Sequence, residues 1–186
     1  MKSGSSHTFR YNGAVDFILR DFRPEDLETL WRIDQKCFAP GIAYSRRELS
    51  AYVRRRGSFT VVAKSVAPDG MPSPPAADSF GGILGFIVAE AGRRGVGHII
   101  SIDVLPGSRR LGIGSRLLSA AEERLRTALC RTVVLETAVD NASALAFYKR
   151  HGYSVVEIVP RYYPSGVDAF LMDKGLLSRE SAARQP

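Results

Sequence analysis

The sequence predicts one domain of the α/β class. A strand-like run, VGHIISIDVLP, passes through a glycine turn into a helix-like run, LGIGSRLLSAAEERLRTALC, and on to a second strand-like run, RTVVLET. That is a β-α-β crossover, which makes the two strands parallel and the connection right-handed. The chain has 186 residues, 45% of them hydrophobic and 24% charged, enough for one ordinary core and too few for two. No stretch repeats along it.

The other elements follow from local chemistry. VDFILRDF is rich in strand formers, and RPEDLETLWRIDQKCF reads as a helix with Pro24 in its first turn and Leu27, Leu30, Trp31 and Cys37 near helical spacing. After the loop APGIAY, Ser45 caps a second helix, RRELSAYVRRR, and Glu48 completes a capping box. SFTVVAKS and FGGILGFIVAEAG read as strands, and residues 66–79 between them, rich in Pro, Ser, Asp and Ala, read as an inserted hairpin loop. In the crossover helix Ile113, Leu117, Ala121, Leu125 and Leu129 step by four. A further helix, NASALAFYKRHG, is capped by Asn141 and ended by Gly152, and YSVVEIVPRYY with DAFLMDK closes as a hairpin. The expected domain is residues 15–173, between a flexible segment, 1–14, and a loose tail, 174–186.

Composition narrows the function less than it narrows the fold. The net charge of +7 suits polyanions of any kind, whether nucleic acid, acidic protein or phosphorylated cofactor, but no nucleic-acid motif accompanies it. Arg46, Arg47, Arg54, Arg55 and Arg56 read as a solvated helix face. The longest apolar runs are too short to cross a bilayer, and MKSGSSHTFRYNG lacks a signal-peptide core, so the expectation is a cytoplasmic protein with no membrane partner. Cys37 and Cys130 have no metal-ligand spacing and read as buried free thiols.

The glycine turn PGSRRLGIGSRLL carries the chemistry. Glycines before a helix let the backbone approach a ligand closely, and the helix start offers unpaired N–H groups and a positive dipole end, which together suit a phosphate. Leu117 stands where a dinucleotide fingerprint needs its third glycine, and the Gly-Lys-Ser/Thr of a Walker loop is absent. Arg109-x-x-Gly112-x-Gly114 after a strand resembles the acetyl-CoA pyrophosphate loop of the GCN5-related N-acetyltransferase (GNAT) superfamily. The order of elements over residues 15 to 173 is similar to that superfamily's, and LETAVDNASALAFYKRHGY followed by PRYYPSGVDAF resembles its Nα-acetyltransferase branch, which includes ribosomal-protein alanine acetyltransferases.

The resemblance implies a mixed sheet of about seven strands, the fourth and fifth parallel and splayed, flanked by about four helices. It implies that the backbone of Ile102, Asp103 and Val104 pairs with the pantetheine arm of acetyl-CoA, that Arg109, Arg110, Leu111, Gly112, Ile113, Gly114 and Ser115 form the pyrophosphate loop, and that Asn141 contacts the cofactor. Tyr148, two helical turns after Asn141, matches the tyrosine near the thioester sulfur. Glu136 matches the glutamate that takes the amine proton, and His98 a histidine that serves as a second base in archaeal members. Tyr162, Tyr163 and Asp168 match the hairpin that clamps the acceptor, with Phe38 and Tyr44 as the opposite wall. Val167 and the pair Gly41 and Ile42 stand where the branch often carries acidic residues.

The implied function is acetyl-CoA-dependent transfer of acetyl straight to a protein or peptide N-terminal α-amine, without a metal or a covalent enzyme intermediate. A small-molecule amine or lysine acetyltransferase on the same fold remains an alternative, as does a module that binds acetyl-CoA without turnover. A homodimer is also open.

Overall fold

The computed structural model describes residues 8–9, 16–66 and 79–176. The expected inserted loop lies outside the described residues except at its ends, as do most of the first fourteen residues and the tail beyond Leu176. The strands are β1 (Thr8–Phe9), β2 (Asp16–Asp21), β3 (Ser58–Val66), β4 (Ile83–Ala91), β5 (Val96–Val104), β6 (Thr132–Ala138), β7 (Ser154–Val159) and β8 (Ala169–Gly175). The helices of more than one turn are α1 (Leu27–Cys37), α2 (Arg46–Arg54), α3 (Ile113–Thr127) and α4 (Ala142–Arg150). All eight strands form one sheet in the order β1-β2-β3-β4-β5-β6-β8-β7. The expected seven strands are β2 to β8, and the pair expected to be parallel is β5 and β6.

Helices cover both faces. On one, Leu30 and Ile33 of α1 and Leu49 and Val53 of α2 pack on Val62, Phe86 and Val88. On the other, Ile113, Leu117, Leu118, Ala121 and Leu125 of α3 and Tyr148 of α4 pack on Val61, Leu84, Ile87, Val133 and Leu135. β4 lies under both layers, which is why ILGFIVA reads as an unbroken apolar run rather than an alternating one. Each large apolar side chain removed from water here contributes roughly 2 kcal/mol. The capping box at α2 forms, with the Ser45 hydroxyl accepting from the Glu48 N–H and Glu48 accepting from the Ser45 N–H at 2.8 Å. Among the described residues no helix is long and apolar enough to cross a membrane.

Three boundaries differ from expectation. Thr8 and Phe9, inside the segment expected to be flexible, pair antiparallel with Ile18 and Phe17. Lys174 and Gly175 belong to β8 and Leu176 is buried, so residues 174–176 are part of the fold rather than the tail. α3 ends at Thr127, and Leu129, expected on its buried face, takes a φ of 64° and is 81% exposed. The chain turns back there, and Cys130 enters the core in its place.

Candidate active site

β5 and β6 pair only from Val96 opposite Thr132 to Ile99 opposite Leu135. Beyond that fork β5 stays with β4 and β6 stays with β8, so the facing edges of Ile100–Val104 and Glu136–Ala138 have no strand between them. A register shift between Val88 and Ala89 leaves Ile100 as the extra residue of β5 at the fork, and such bulges bend a strand away from its partner. The opening is bounded on both sides by strand edges that no third strand pairs with. It can accept an extended chain that carries amides.

Glu136 is the first residue of β6 past the fork. Its Oε2 lies 2.7 Å from Nε2 of His98, two residues before the bulge on β5. Burial pushes the carboxyl up, but the hydrogen bond and charge of His98 and the hydroxyl of Tyr162 outweigh it and hold Glu136 below the ordinary carboxylate range. It is therefore an ionised acceptor at neutral pH. Tyr148, on the inner face of α4, is buried, and burial with the nearby Asp103 and Tyr163 raises its phenol above the ordinary value, leaving a neutral O–H that can donate.

The glycine turn lies at the open end of the fork. Arg110 at φ 63° and Gly112 at φ 77° turn the chain into α3, and Gly112 is its N-cap. A cap glycine brings no side-chain acceptor, so the first-turn N–H groups at Ile113, Gly114 and Ser115 have no intrahelical partner. Leu111 packs on the core while Arg109, whose Nε donates to the Val104 carbonyl at 3.1 Å, and Arg110 are exposed. Gly114 faces α4, where an added Cβ would touch Phe147 at 3.4 Å. Asn141 uses its side chain to cap α4, accepting from the Ala144 N–H at 3.0 Å.

Ile102 and Val104 line β5 past the fork, and Asp103 between them points to the α1 side, fully buried. Its Oδ2 accepts from the Ser101 hydroxyl at 2.6 Å and its Oδ1 has no partner; burial, with Asp34 adding, raises it well above the ordinary range. Cys37 donates to the Val104 carbonyl at 3.4 Å, and burial, then Asp103, pushes its thiol up to about 12, so it is no nucleophile at neutral pH.

Two loops form the walls over the fork. Between α1 and α2, Asp34 accepts from the Tyr44 N–H at 2.9 Å and Gln35 donates to the Tyr44 carbonyl at 2.8 Å, while the Tyr44 hydroxyl donates to the Ile100 carbonyl at 3.2 Å. Phe38, half-buried, begins this loop. Between β7 and β8, Asp168 accepts from the Arg161 N–H at 2.7 Å, so its carboxylate shapes the turn that presents Tyr162 and Tyr163, whose rings meet edge to face at 5.0 Å. Tyr163 is pushed up to about 12 by burial and by Glu136. The loops meet where a Cβ on Gly41 would lie 3.1 Å from Ser165. Of the residues singled out from sequence on these loops, Tyr44 reaches the fork at the Ile100 carbonyl, and Tyr162 and Tyr163 at Glu136. Asp34 and Tyr52 join the same surroundings without a sequence signal beyond helix membership, the Tyr52 ring meeting Tyr44 at 5.1 Å and a tilt of 59°, while His151 lies beside the glycine turn against Ser115.

Comparison with known proteins follows the same lines. The chain is 42% identical over 95 residues to an uncharacterised N-acetyltransferase of Methanocaldococcus jannaschii, covering 50% of this chain and 60% of that one. It is 42% identical over 77 residues to an N-alpha-acetyltransferase of Sulfurisphaera tokodaii, covering 41% and 46% respectively. The chain spans about half the length of these relatives. The crystal structure of Ard1 from Thermoplasma volcanium superposes with a TM-score of 0.72 at 26% identity, over 87% of this chain and 99% of that one. The family model described as acetyltransferase (GNAT) matches residues 27–153, and on that match the chain belongs to the GNAT acetyltransferase family.

Proposed function

We propose that the protein is an N-acetyltransferase that uses acetyl-CoA to acetylate the N-terminal α-amine of a protein or peptide. The observation that carries this reading is the ionised Glu136 bonded to His98 at the fork, with the neutral Tyr148 hydroxyl on the adjoining helix. The N-alpha-acetyltransferase relative adds support. The residues fit the cofactor: the side of Ile102–Val104 turned away from β4 has no strand beside it, which suits pantetheine amides although the Val104 carbonyl already accepts from Arg109 and Cys37, and the N–H groups after Gly112, with Arg109 and Arg110 nearby, suit a pyrophosphate. Asn141 keeps its amide N–H groups for a ligand, since only its oxygen is used in the cap.

Acetyl-CoA supplies an activated acetyl thioester when bound. In the transfer a C–N bond forms, a C–S bond breaks, the amine loses its proton toward Glu136 and His98, and Tyr148 donates a proton to the departing sulfur. Phe38, Tyr44, Tyr162, Tyr163 and the turn held by Asp168 then form the walls of a narrow slot for a chain end.

An α-amine has a pKa near ~8 against ~10.4 for lysine, so its neutral form at pH 7 is about 250-fold more abundant. One carboxylate held low and one imidazole suit that easier acceptor. Apolar Val167 and Ile42 give no reason for a basic second residue, so small first residues, Ala or Ser, are preferred over Met. The test is thiol release from acetyl-CoA with peptides starting Ala, Ser or Met, and with the same peptides blocked at the N-terminus but carrying an internal lysine. Faster turnover of the blocked lysine peptides overturns the choice of acceptor, and none with any amine favours a binding module.

A further inference from the structure

His151 is the C-cap of α4 and lies against the start of α3. Its Nδ1 is 2.8 Å from the Phe147 carbonyl oxygen and its Nε2 2.9 Å from the Ser115 hydroxyl. A carbonyl only accepts, so Nδ1 carries a hydrogen and the tautomer is set. In the neutral ring Nε2 then accepts from the Ser115 O–H. In the protonated ring Nε2–H donates to Oγ instead, and the Ser115 hydrogen is released. The Phe147 ring packs against the imidazole at 4.4 Å and lies where a Cβ on Gly114 would meet it at 3.4 Å.

Ser115 is the third residue of α3, and helical side chains lean toward the N-terminus, here toward the unpaired N–H groups. We propose that His151 is a positioning residue for the pyrophosphate of acetyl-CoA: an anion at the start of α3 draws a second proton onto His151, and the freed Ser115 hydroxyl donates to the phosphate. The proposal rests on the reading of the glycine turn as the pyrophosphate seat. The charged groups on the elements that meet here are Arg109, Arg110 and Arg116 beside the turn, Lys149 and Arg150 on α4, and Glu122 further along α3, already paired with Lys174 of β8 and the Tyr153 hydroxyl.

The experiment measures KM for acetyl-CoA and for S-acetylpantetheine, which lacks the pyrophosphate, from roughly pH 6 to 8.5. The expected KM for acetyl-CoA rises about tenfold across the imidazole range while that for S-acetylpantetheine stays flat. His151→Phe keeps the ring against Phe147 and flattens the acetyl-CoA profile. His151→Gln, whose amide N–H donates to Ser115 at every pH, flattens it with the low-pH KM retained, and Ser115→Ala flattens it with a raised KM. Equal KM for both donors in the wild type means that nothing holds the pyrophosphate and overturns the seat and the proposal together. A wild type that prefers acetyl-CoA but keeps its pH profile in any folded His151 variant overturns the proposal alone.

Discussion

Replacing Glu136 with glutamine removes a charge and little else. The amide has nearly the volume of the carboxylate and still offers an oxygen to His98 and Tyr162, so the cost in stability is that of weakening partly buried hydrogen bonds to a charged group, about 1–3 kcal/mol. The cost in rate is larger. A positioned acid or base contributes typically about 10²–10⁴-fold, or ~3–5 kcal/mol in the barrier. Because Glu136 lies below the ordinary carboxylate range, stripping an α-ammonium of pKa ~8 in the ground state would cost more than about 5 kcal/mol. In the proposed transfer Glu136 would therefore act on the proton as the C–N bond forms, when the nitrogen becomes acidic. The variant is expected to lose at least a hundredfold in kcat at every pH above the carboxylate range, with the KM for acetyl-CoA within about threefold of wild type. The assay is thiol release at saturating acetyl-CoA with an Ala-starting peptide, beside a thermal melt of the same sample. A glutamine variant with kcat within a factor of two of wild type refutes the assignment of Glu136 as the proton acceptor.

Tyr148→Phe keeps the buried ring and is expected to lower kcat about tenfold or more with acetyl-CoA affinity unchanged, checked by steady-state kinetics and calorimetric titration. Gly112→Val forces a β-branched residue to a φ of 77°, costing of order 1–3 kcal/mol and raising the Kd for acetyl-CoA, which calorimetry reads directly. Gly97→Ala places a methyl 2.7 Å from Leu125 Cδ1 on the overlying helix and is expected to destabilise by about 1–3 kcal/mol in urea unfolding. Burial raises Asp34 to about 6, so the folded state holds its proton more tightly than the unfolded chain. Stability from this group is full at low pH and is lost as pH rises through about 4 to 6, on the order of 3 kcal/mol in all. Asp34→Asn keeps an acceptor for the Tyr44 N–H and flattens that loss in unfolding curves taken at pH 4 and 8.

Much of the fold was legible because its signals are local. The Ser45 and Glu48 box, the Asn141 cap and the four-residue steps of α3 from Ile113 to Leu125 each depend on neighbours within one turn, and each forms. Leu129 misled because periodicity does not register that the chain leaves the helix at Ala128 through a left-handed residue. The ends of the domain misled for a different reason: Thr8 and Phe9 pair with Ile18 and Phe17, and Lys174 with Val133, and composition does not report strand pairing. In the candidate site the motif names its residues as a set, while the His151 contact with Ser115 spans 36 positions and has no signature in KRHGY.

The parted strands have a mechanical meaning. β1 to β5 form one sheet half and β6 to β8 the other, and only four register pairs join them, backed by α3. Each hydrogen bond foregone along the fork forfeits about 1 kcal/mol, so the strands are tied to one another less firmly here than elsewhere in the sheet. A ligand lying in the fork with its amides paired to both edges would act as a staple. Its binding energy would then be divided between affinity and stiffness, and amide exchange at Ile100–Val104 and Glu136–Ala138 would slow together when the cofactor is added, with the outer strands unchanged.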